Sequence, residues 1–381
     1  MAKNIMKYSL KHAFFNRQSE LDYLREWINQ EPNEILFIYG PKSSGKTTLL
    51  MKFIDMHLNN KHYNIKHFNL REMLISNYID FIQAFFEIDY SKDSPEIKQK
   101  TQYSLKVFRL SREIKKSLEN RTLDPFHVMK KELIKISKKG KQAVIIIDEL
   151  QALEDIYLNG QRELLKELFN FFVAMTKEAH LCHVIIASSD GYFMKRIYED
   201  SKLAKTSTFF LVDYLNEKDT KYWLNNLESE SAITRFRLTT SQIDLIWKYF
   251  GGSMWEITNL LGELLRCSKK NSFSNDEIHE VINDKIDGNC SRFYHYAGTS
   301  NNRIVLLKEI FGLTQQKKFF RTIDLKSLTL DNLYDDSTLS EALNRLVQMN
   351  YLAFNPINAT YQLQGKSMFF ALKKFVESIQ V

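Results

Sequence analysis

The sequence has little cysteine, and its cysteines are not arranged for disulfide bonds. The chain of 381 residues contains three, Cys182, Cys267 and Cys290, which are scattered and odd in number. Small secreted proteins that depend on disulfides carry cysteines in even numbers at short spacings. We therefore expect reduced thiols and a cytoplasmic protein. Residues 180–183 read His-Leu-Cys-His and could form half of a metal site, but no second cluster accompanies them, so no structural metal is expected.

Long apolar runs are also missing. The sequence contains no stretch of about 18 consecutive apolar residues, which excludes the usual pattern of a membrane-spanning helix. Met1–Leu10 lacks the apolar stretch of a secretion signal, so none is expected. No short-period repeat or low-complexity segment occurs. With 44% hydrophobic and 26% charged residues, the composition is typical of a globular protein, and the length suits two or three domains.

Against this ordinary background, one glycine-containing motif is specific. Residues 40–47 read Gly-Pro-Lys-Ser-Ser-Gly-Lys-Thr and match the phosphate-binding pattern G-x-x-x-x-G-K-[ST]. An apolar run, Ile35–Tyr39, precedes them and a stretch with helical character, Thr48–Ile54, follows, which is the strand–loop–helix context that the motif requires. Backbone N–H groups and the positive end of the helix would attract phosphate oxygens. The predicted nucleotide-binding residues of this loop are Gly40, Pro41, Lys42, Ser43, Ser44, Gly45, Lys46, Thr47 and Thr48.

Within that loop, Lys46 is predicted to reach the β- and γ-phosphates and Thr47 to ligate Mg²⁺. A second element for the metal lies at Ala143–Glu149, an apolar run that ends in two carboxylates. Such a run is typical of a strand buried on both faces of a parallel sheet. At its end Asp148 would bind Mg²⁺ through water, and Glu149 would polarise the attacking water as general base. The glutamate favours a hydrolase over a kinase.

Strand candidates alternate with helical stretches in the first half of the chain, which predicts parallel strands joined by crossover helices. The five candidates are Ile35–Tyr39, Tyr63–Phe68, Ala143–Ile147, His183–Ala187 and Phe209–Val212. Both phosphate-site elements follow strands at their carboxyl ends, where ligands bind in open α/β sheets. The fourth candidate strand is followed by Ser188 and Ser189. Either serine could orient the attacking water as a sensor of the γ-phosphate, or cap the helix that begins near Tyr192.

Positive charge is concentrated in one segment. Lys106–Lys141 carries twelve Lys or Arg and four Asp or Glu, a net +8, whereas the whole chain carries +7. Apolar positions at helical spacing predict a basic amphipathic helix, followed by a second helix over about 126–138. Those positions are Val107, Leu110, Ile114 and Leu118. Two interpretations stay open: a surface for nucleic acid (DNA or RNA) or another polyanion, or a solvated helix face.

After Val212 the pattern changes to helices without intervening strands, which predicts a compact helical subdomain over about 213–290. A third unit, 291–381, combines helices with two short strands, Tyr351–Phe354 and Thr360–Leu363, around an Asn-Pro-Ile-Asn turn. Helices followed by a two-stranded wing are typical of a winged helix. The predicted domains are therefore a core, 1–212, with a basic helical insertion at about 87–141, then the helical subdomain and the winged helix.

Taken in order, these features resemble the archaeal-type ATPase family, in the signal-transducing (STAND) branch of P-loop ATPases near the AAA+ proteins. The resemblance covers most of the chain. Besides the phosphate loop, the Asp148-Glu149 pair and the final winged helix, three sequences carry it. They are Phe14-Phe15-Asn16-Arg17-Gln18-Ser19-Glu20-Leu21, which resembles the box F-x-x-R-x-x-E-L, Ala187-Ser188-Ser189, which resembles G-S-S, and Gly251-Gly252, which resembles the start of G-G-x-P.

The resemblance implies an α/β fold: a RecA-like, AAA+-type P-loop core with a parallel sheet, a helical lid and a C-terminal winged helix. It places the base of ATP near Asn16 and Arg17 and brings Gly252 of the lid to the nucleotide. Two positions depart from the family pattern. Lys205 stands where an arginine is common, and lysine gives a point charge without a bidentate fork. Met254 replaces the lid proline.

Three uses of such an ATPase are open. The nucleotide state could switch how the lid and winged helix dock, and so control self-association or a protein partner. The protein could be a DNA-associated ATPase similar to the origin-recognition or transposition-helper enzymes. It could also be a scaffold stabilised by a nucleotide that it does not hydrolyse. The predicted recognition helix, Ser337–Met349, has the acidic Glu341 and a single basic residue, Arg345, which is unfavourable for a phosphate backbone.

Overall fold

The structure is a computed structural model that describes residues 16–59, 61–88, 107–158, 160, 162–200, 203–267 and 272–379. Phe14 and Phe15 of the N-terminal box and Lys106 lie outside the described residues. Within the described ranges, no helix is both long and apolar enough to cross a bilayer.

The elements follow in chain order. The helices are α1 (Gln18–Ile28), α2 (Lys46–His57), α3 (Tyr78–Phe85), α4 (Arg112–Glu119), α5 (Pro125–Lys138), α6 (Leu164–Val173), α7 (Gly191–Glu199), α8 (Glu217–Asn225), α9 (Leu227–Ser231), α10 (Thr240–Phe250), α11 (Met254–Cys267), α12 (Asn275–Ala297), α13 (Asn301–Gln316), α14 (Lys326–Leu330), α15 (Asp336–Gln348) and α16 (Lys366–Ser378). The strands are β1 (Ile35–Tyr39), β2 (Tyr63–Asn69), β3 (Phe86–Ile88), β4 (Phe108–Leu110), β5 (Gln142–Asp148), β6 (Tyr157–Leu158), β7 (Arg162–Glu163), β8 (Cys182–Ser188), β9 (Ser207–Leu211), β10 (Leu352–Asn355) and β11 (Thr360–Leu363).

The five predicted strands form one parallel sheet in the order β2-β5-β8-β1-β9. The three central strands are almost wholly buried, which explains their continuous apolar sequences. In the register of the sheet, Tyr39 pairs with Ser188 and Asp148 pairs with Ala187. The carboxyl ends of β1, β5 and β8 therefore meet at one edge. The α/β fold with a parallel sheet is as predicted.

The basic segment differs from its prediction at its start. Val107 and Leu110 do not belong to an amphipathic helix, because Phe108–Leu110 is a strand that pairs in parallel with Phe86–Ile88. Ser111 then begins α4 by accepting a hydrogen bond from the backbone N–H of Ile114. The apolar residues had helical spacing by chance, because the buried strand β4 and the helix α4 follow each other closely. The second predicted helix is present as α5.

The chain divides into two compact units. The core unit is the described part of Glu20–Tyr39 and Lys46–Leu211. Its interior is a continuous apolar cluster of sheet and helix residues that includes the fully buried Phe37, Phe68 and Ile147. The helical unit is made of the described residues in 16–19, 40–45 and 212–379.

Within the helical unit, α12 runs across the predicted boundary near residue 290 and packs against α10, α11, α13 and α16. The predicted lid and winged helix thus share one unit, and the boundary between them stays a prediction. The C-terminal part follows the predicted order of helices and an antiparallel pair, β10–β11. Phe320 extends this pair through two backbone hydrogen bonds with Tyr361, of 3.0 and 2.7 Å.

Candidate nucleotide site

The loop at residues 40–45 curls as its glycines predict. Gly40, Ser43 and Gly45 have positive φ angles of 151°, 62° and 94°. A Cβ atom on Gly40 would lie 2.1 Å from the carbonyl oxygen of Val212, so a side chain cannot be accommodated there. The N–H of Ser44 closes a turn on the carbonyl of Pro41 at 3.2 Å. The Ser44 hydroxyl is buried and has no hydrogen-bond partner among the described residues.

Arg17 holds this loop to the segment that follows β9. Its buried guanidinium donates from Nη2 to the carbonyl oxygens of Ser44, at 2.9 Å, and of Asp213, at 2.7 Å. Beside it, Asn16 donates to the Asp219 carboxylate. Both side chains are engaged with protein atoms, so their contact with a base stays a prediction. The described role of Arg17 is to position the phosphate loop.

Tyr214 makes a second connection of the same kind, which the sequence did not predict. Its hydroxyl donates to the carbonyl of Lys42 at 3.0 Å, and burial raises the pKa of that hydroxyl. Gly252 lies against the same segment, because a Cβ atom there would be 1.9 Å from the Leu215 carbonyl oxygen. Glycine at this position permits close backbone approach; a contact between Gly252 and a nucleotide stays a prediction.

In the core unit, α2 begins with Lys46, whose side chain is 6% exposed. Burial lowers the pKa of Lys46 to about 8, although the nearby carboxylates of Glu149 and Asp148 act in the opposite direction. The charged form of this lysine is therefore poorly solvated in the protein itself. An additional anion would stabilise it.

Asp148 ends β5 and is 2% exposed. Its Oδ2 accepts a hydrogen bond from the hydroxyl of Thr47, whereas its Oδ1 is buried without a partner among the described residues. A buried carboxylate oxygen left unpaired costs free energy, so this atom is suited to an added ligand. The structure thus brings the two predicted metal ligands into direct contact.

Glu149 is held by several partners in the core unit. It has a left-handed backbone conformation, with φ of 63°, and its N–H donates to the Ala187 carbonyl at 2.8 Å. Its Oε1 forms an ion pair with Arg71 and accepts from the Ser189 hydroxyl at 3.3 Å. Its Oε2 accepts from the amide of Gln151. Both oxygens of this carboxylate therefore have partners among the described residues.

The serines after β8 belong to the same network. The Ser188 hydroxyl donates to the Gln151 side-chain oxygen at 2.9 Å, so it reaches Glu149 through one residue. Neither serine caps the next helix: Asp190 does, by accepting from the N–H groups of two residues in the first turn of α7. The cap interpretation is therefore wrong, because the helix begins at Gly191 and the residue at its N-cap position is Asp190.

Sequence reasoning missed Arg71 and Gln151. Arg71 lies two residues beyond the end of β2, and β2 pairs with β5 so that Asn69 is opposite Asp148. The rule that ligand-binding residues follow the carboxyl ends of parallel strands could have found it. Gln151 lies two residues beyond Glu149 in a short 3₁₀ turn, and nothing in its sequence context identified it.

A family comparison agrees with this geometry. The model of the ATPase domain found predominantly in Archaea matches residues 14–260. The chain belongs to this family. An uncharacterized ATP-binding protein of Methanocaldococcus jannaschii is 31% identical over 372 residues, covering 96% of this chain and 95% of the relative. Another uncharacterized ATP-binding protein, of Pyrococcus abyssi, is 29% identical over 380 residues. The alignment covers 96% of this chain and 100% of that relative.

Solved structures agree on the fold. The ORC2 protein of Aeropyrum pernix in its ADP form superposes with a TM-score of 0.55 at 13% identity, covering 98% of this chain and 97% of that one. The same protein in ADPNP–ADP complexes gives 0.50 at 11% identity, with 98% and 96% covered. At such low identity the likeness concerns the fold alone: an α/β fold with a parallel sheet of five strands and many helices.

Membership of an ATP-binding family implies Mg²⁺ alongside the nucleotide, and the residues fit that ion. Mg²⁺ prefers oxygen ligands and is usually held by one or two side chains together with waters and phosphates. Asp148 Oδ1 and the Thr47 hydroxyl supply such oxygens. In the part of the chain that the structure describes, no group of three or more His, Cys, Asp or Glu side chains could hold a metal by itself. A Mg²⁺ ion held by these two side chains would need waters or other oxygens as further ligands.

Proposed function

We propose that this protein binds ATP with Mg²⁺ and hydrolyses it slowly, and that the nucleotide state acts as a conformational switch. The observation that carries the proposal is the arrangement around β5. The unpaired Asp148 Oδ1 lies beside Thr47, and Glu149, the predicted base, is held by partners that a switch can release. Location in the cytoplasm stays a prediction of the sequence.

Phosphate binding is assigned to residues 40–48. The backbone N–H groups of the curled loop and the start of α2 attract the phosphates, and Lys46 neutralises charge on the β- and γ-groups. Thr47 and Asp148 would hold Mg²⁺, which supplies further neutralisation of charge on the transferred phosphoryl group. The low pKa of Lys46 supports this assignment, because the phosphates restore the favourable surroundings that burial removed.

Hydrolysis is assigned to Glu149, which accepts a proton from the attacking water. Gln151, Ser188 and Ser189 orient that carboxylate and the water. In the described conformation Arg71 pairs with Oε1 of Glu149, and a water that donates to this oxygen would compete with Arg71. We infer that this ion pair keeps basal turnover slow and that its opening accompanies activation.

The switch is proposed to act through the loop's connections in the helical unit. Arg17 and Tyr214 join loop residues Ser44 and Lys42 to the segment at Asp213 and Tyr214, immediately before α8. A change in the loop on gain or loss of the γ-phosphate would reach that segment through these three hydrogen bonds. The proposed output is altered docking of the lid and winged helix, and with it self-association or binding of a protein partner.

One experiment tests this function: multiple-turnover phosphate release from ATP, with molecular mass measured in the ATP and ADP states. We expect ATP binding, slow turnover and a mass or hydrodynamic radius that differs between the two states. Binding without turnover would leave the nucleotide-stabilised scaffold as the function. Turnover with identical mass and radius in both states would exclude the self-association output while leaving the ATPase intact.

A further inference from the structure

The exposed side of α5 carries cations that pair with no acid among the residues that the structure describes. The helix contains four lysines and a single acid, Glu132. Glu132 pairs with Lys135 at 2.5 Å. The remaining lysines, and Lys139 after the helix, are exposed, and their side chains form no ion pair or hydrogen bond with any described residue. We call these four residues the basic face; they are Lys130, Lys131, Lys138 and Lys139.

The two acids at the start of α5 and within it, Asp124 and Glu132, form no ion pair with the basic face. Asp124 caps the helix by accepting from the N–H of Phe126. The carboxylate of Glu132 also attracts the ammonium group of Lys66 in β2 and acts to raise its pKa. The same ammonium group donates to the Val107 carbonyl at 3.0 Å. Burial, and secondly the guanidinium of Arg109, lower the pKa of Lys66 to about 8. Glu132 therefore interacts with two lysines outside the basic face, Lys135 and Lys66. Positive charge exceeds negative charge among the described residues around α5.

Helix stability explains only half of the basic face. Lys138 and Lys139 lie at the C-terminal end, where cations interact favourably with the helix dipole. Lys130 and Lys131 lie in the middle, where that effect has faded, and adjacent like charges repel. Lys131 and Lys138 are seven residues apart, which places them on the same side of the helix at a distance of about 10.5 Å.

We propose that the basic face binds the phosphate backbone of duplex nucleic acid without reading its sequence. A duplex carries roughly one negative charge per 1.7 Å of its axis, so α5, about 21 Å long, would run beside about twelve of them. Lysines act as point charges and are suited to phosphates, whereas bidentate base recognition requires other side chains. This is a surface of the core unit, and it does not depend on the proposed nucleotide chemistry.

A membrane surface is another polyanion that this charge could attract. Binding of a helix to a membrane requires an exposed apolar face in addition to positive charge. Helices that lie in a bilayer interface insert an apolar face among the lipids. The apolar residues of α5 are already packed in the core unit: Val128, Met129 and Leu133 are buried there. The partly buried apolar residues of α5 are Phe126, Ile134 and Ile136. Two of them, Phe126 and Ile136, also pack against the core cluster, which leaves little apolar surface for insertion.

The test is fluorescence anisotropy with a labelled duplex DNA of mixed sequence, measured between about 50 and 200 mM salt. The full chain is compared with a variant in which the four lysines of the basic face are replaced by glutamine. We expect the wild type to bind with steep salt dependence. The variant should bind about tenfold or more weakly at low salt, and its slope of log affinity against log salt should be shallower by about 3 to 4.

Two controls make the result specific. Replacing four exposed lysines elsewhere by glutamine removes the same charge and should leave DNA binding near the wild-type value; these are Lys166, Lys218, Lys326 and Lys373. Arginine at the four positions of the basic face should retain binding, because charge is kept. ATP binding by the glutamine variant reports that it is folded.

Three outcomes would overturn the proposal. One is no binding of wild type to the duplex at about 50 mM salt. Another is equal loss in both sets of glutamine variants, which would indicate attraction by net charge alone. The third is binding to phosphatidylserine vesicles but not to the duplex. ATP turnover is measured on the same preparations, so failure of DNA binding and failure of the ATPase are distinguished.

Discussion

At the carboxyl end of β5, three of the four carboxylate oxygens of Asp148 and Glu149 have partners inside the core unit, whereas the four lysines of the basic face on α5 have none among the described residues. Both regions are strongly charged, and they are close in sequence. The acidic pair is buried, so leaving its oxygens unpaired would cost free energy. The lysines are solvated, so leaving them unpaired costs little.

The difference separates two kinds of ligand site. In the acidic region, side chains of the core unit contact three of the four carboxylate oxygens of Asp148 and Glu149. A ligand must bind at the remaining oxygen or displace one of these side chains. Asp148 Oδ1 is the open position, and Arg71 is the displaceable partner of Glu149. On the basic face nothing has to be displaced, so binding there would depend on charge density and salt.

The largest expected effect concerns the base. Glu149→Gln should keep ATP binding and lower turnover by about 100-fold or more, since an amide cannot accept the proton of the attacking water. Phosphate release measures this, with nucleotide binding followed in parallel. Glu154→Gln is the matched control, because the Glu154 carboxylate also pairs with an arginine, Arg196, and the substitution keeps the backbone hydrogen bond from Glu154 to Gln151. Turnover at the wild-type rate in Glu149→Gln would remove the base assignment.

The next effect concerns Lys46, a buried cation close to the carboxylates of Glu149 and Asp148. Lys46→Ala should weaken ATP binding at least tenfold, because the phosphates lose the charge that the loop directs at them. Calorimetric titration measures the affinity. Lys42→Ala serves as control: it is in the same loop, but its side chain is exposed. Equal losses in both variants would mean that loop charge, not the position of Lys46, determines affinity.

The pH dependence of ATP binding sharpens the same point. With its pKa lowered to about 8, Lys46 is charged below that pH and neutral above it. Bound phosphates favour the charged form, so binding should take up a proton above pH 8, and affinity should fall there by up to about tenfold per pH unit. Titration at about pH 7 and pH 9, in buffers of different ionisation enthalpy, measures both quantities. Saturating Mg²⁺ in both titrations keeps the metal occupancy of ATP constant. An affinity that is the same at both pH values would contradict the lowered pKa of Lys46.

The smallest expected effect tests whether Arg71 restrains Glu149. Arg71→Ala should raise basal turnover by about three- to tenfold, since a half-exposed ion pair is worth about 1 kcal/mol. Arg196→Ala removes a similarly exposed arginine from Glu154 and should leave turnover unchanged. A fall in turnover in Arg71→Ala would show instead that this arginine assists the reaction, as a group that orients Glu149 or stabilises charge.

The sequence by itself determined the elements whose signals are local. The strands of the sheet, the loop at 40–47 and the Asp148-Glu149 pair could be predicted because buried parallel strands require continuous apolar runs and a phosphate loop requires glycine at fixed positions. The helix predicted from Val107 to Leu118 failed for the same local reason: three residues of a strand and eight of a helix can share one apolar spacing.

Only the tertiary structure decided which side chains meet. Arg71 is far from Glu149 in sequence, and Arg17 is separated from Asp213 by 196 positions, more than half of the chain. No spacing rule connects such pairs, because strand order in a parallel sheet is set by long-range packing and crossover connections, not by neighbouring residues. The motifs could therefore be read from the sequence, whereas the side chains that contact Glu149 and the loop at residues 40–45 became known only from the tertiary structure.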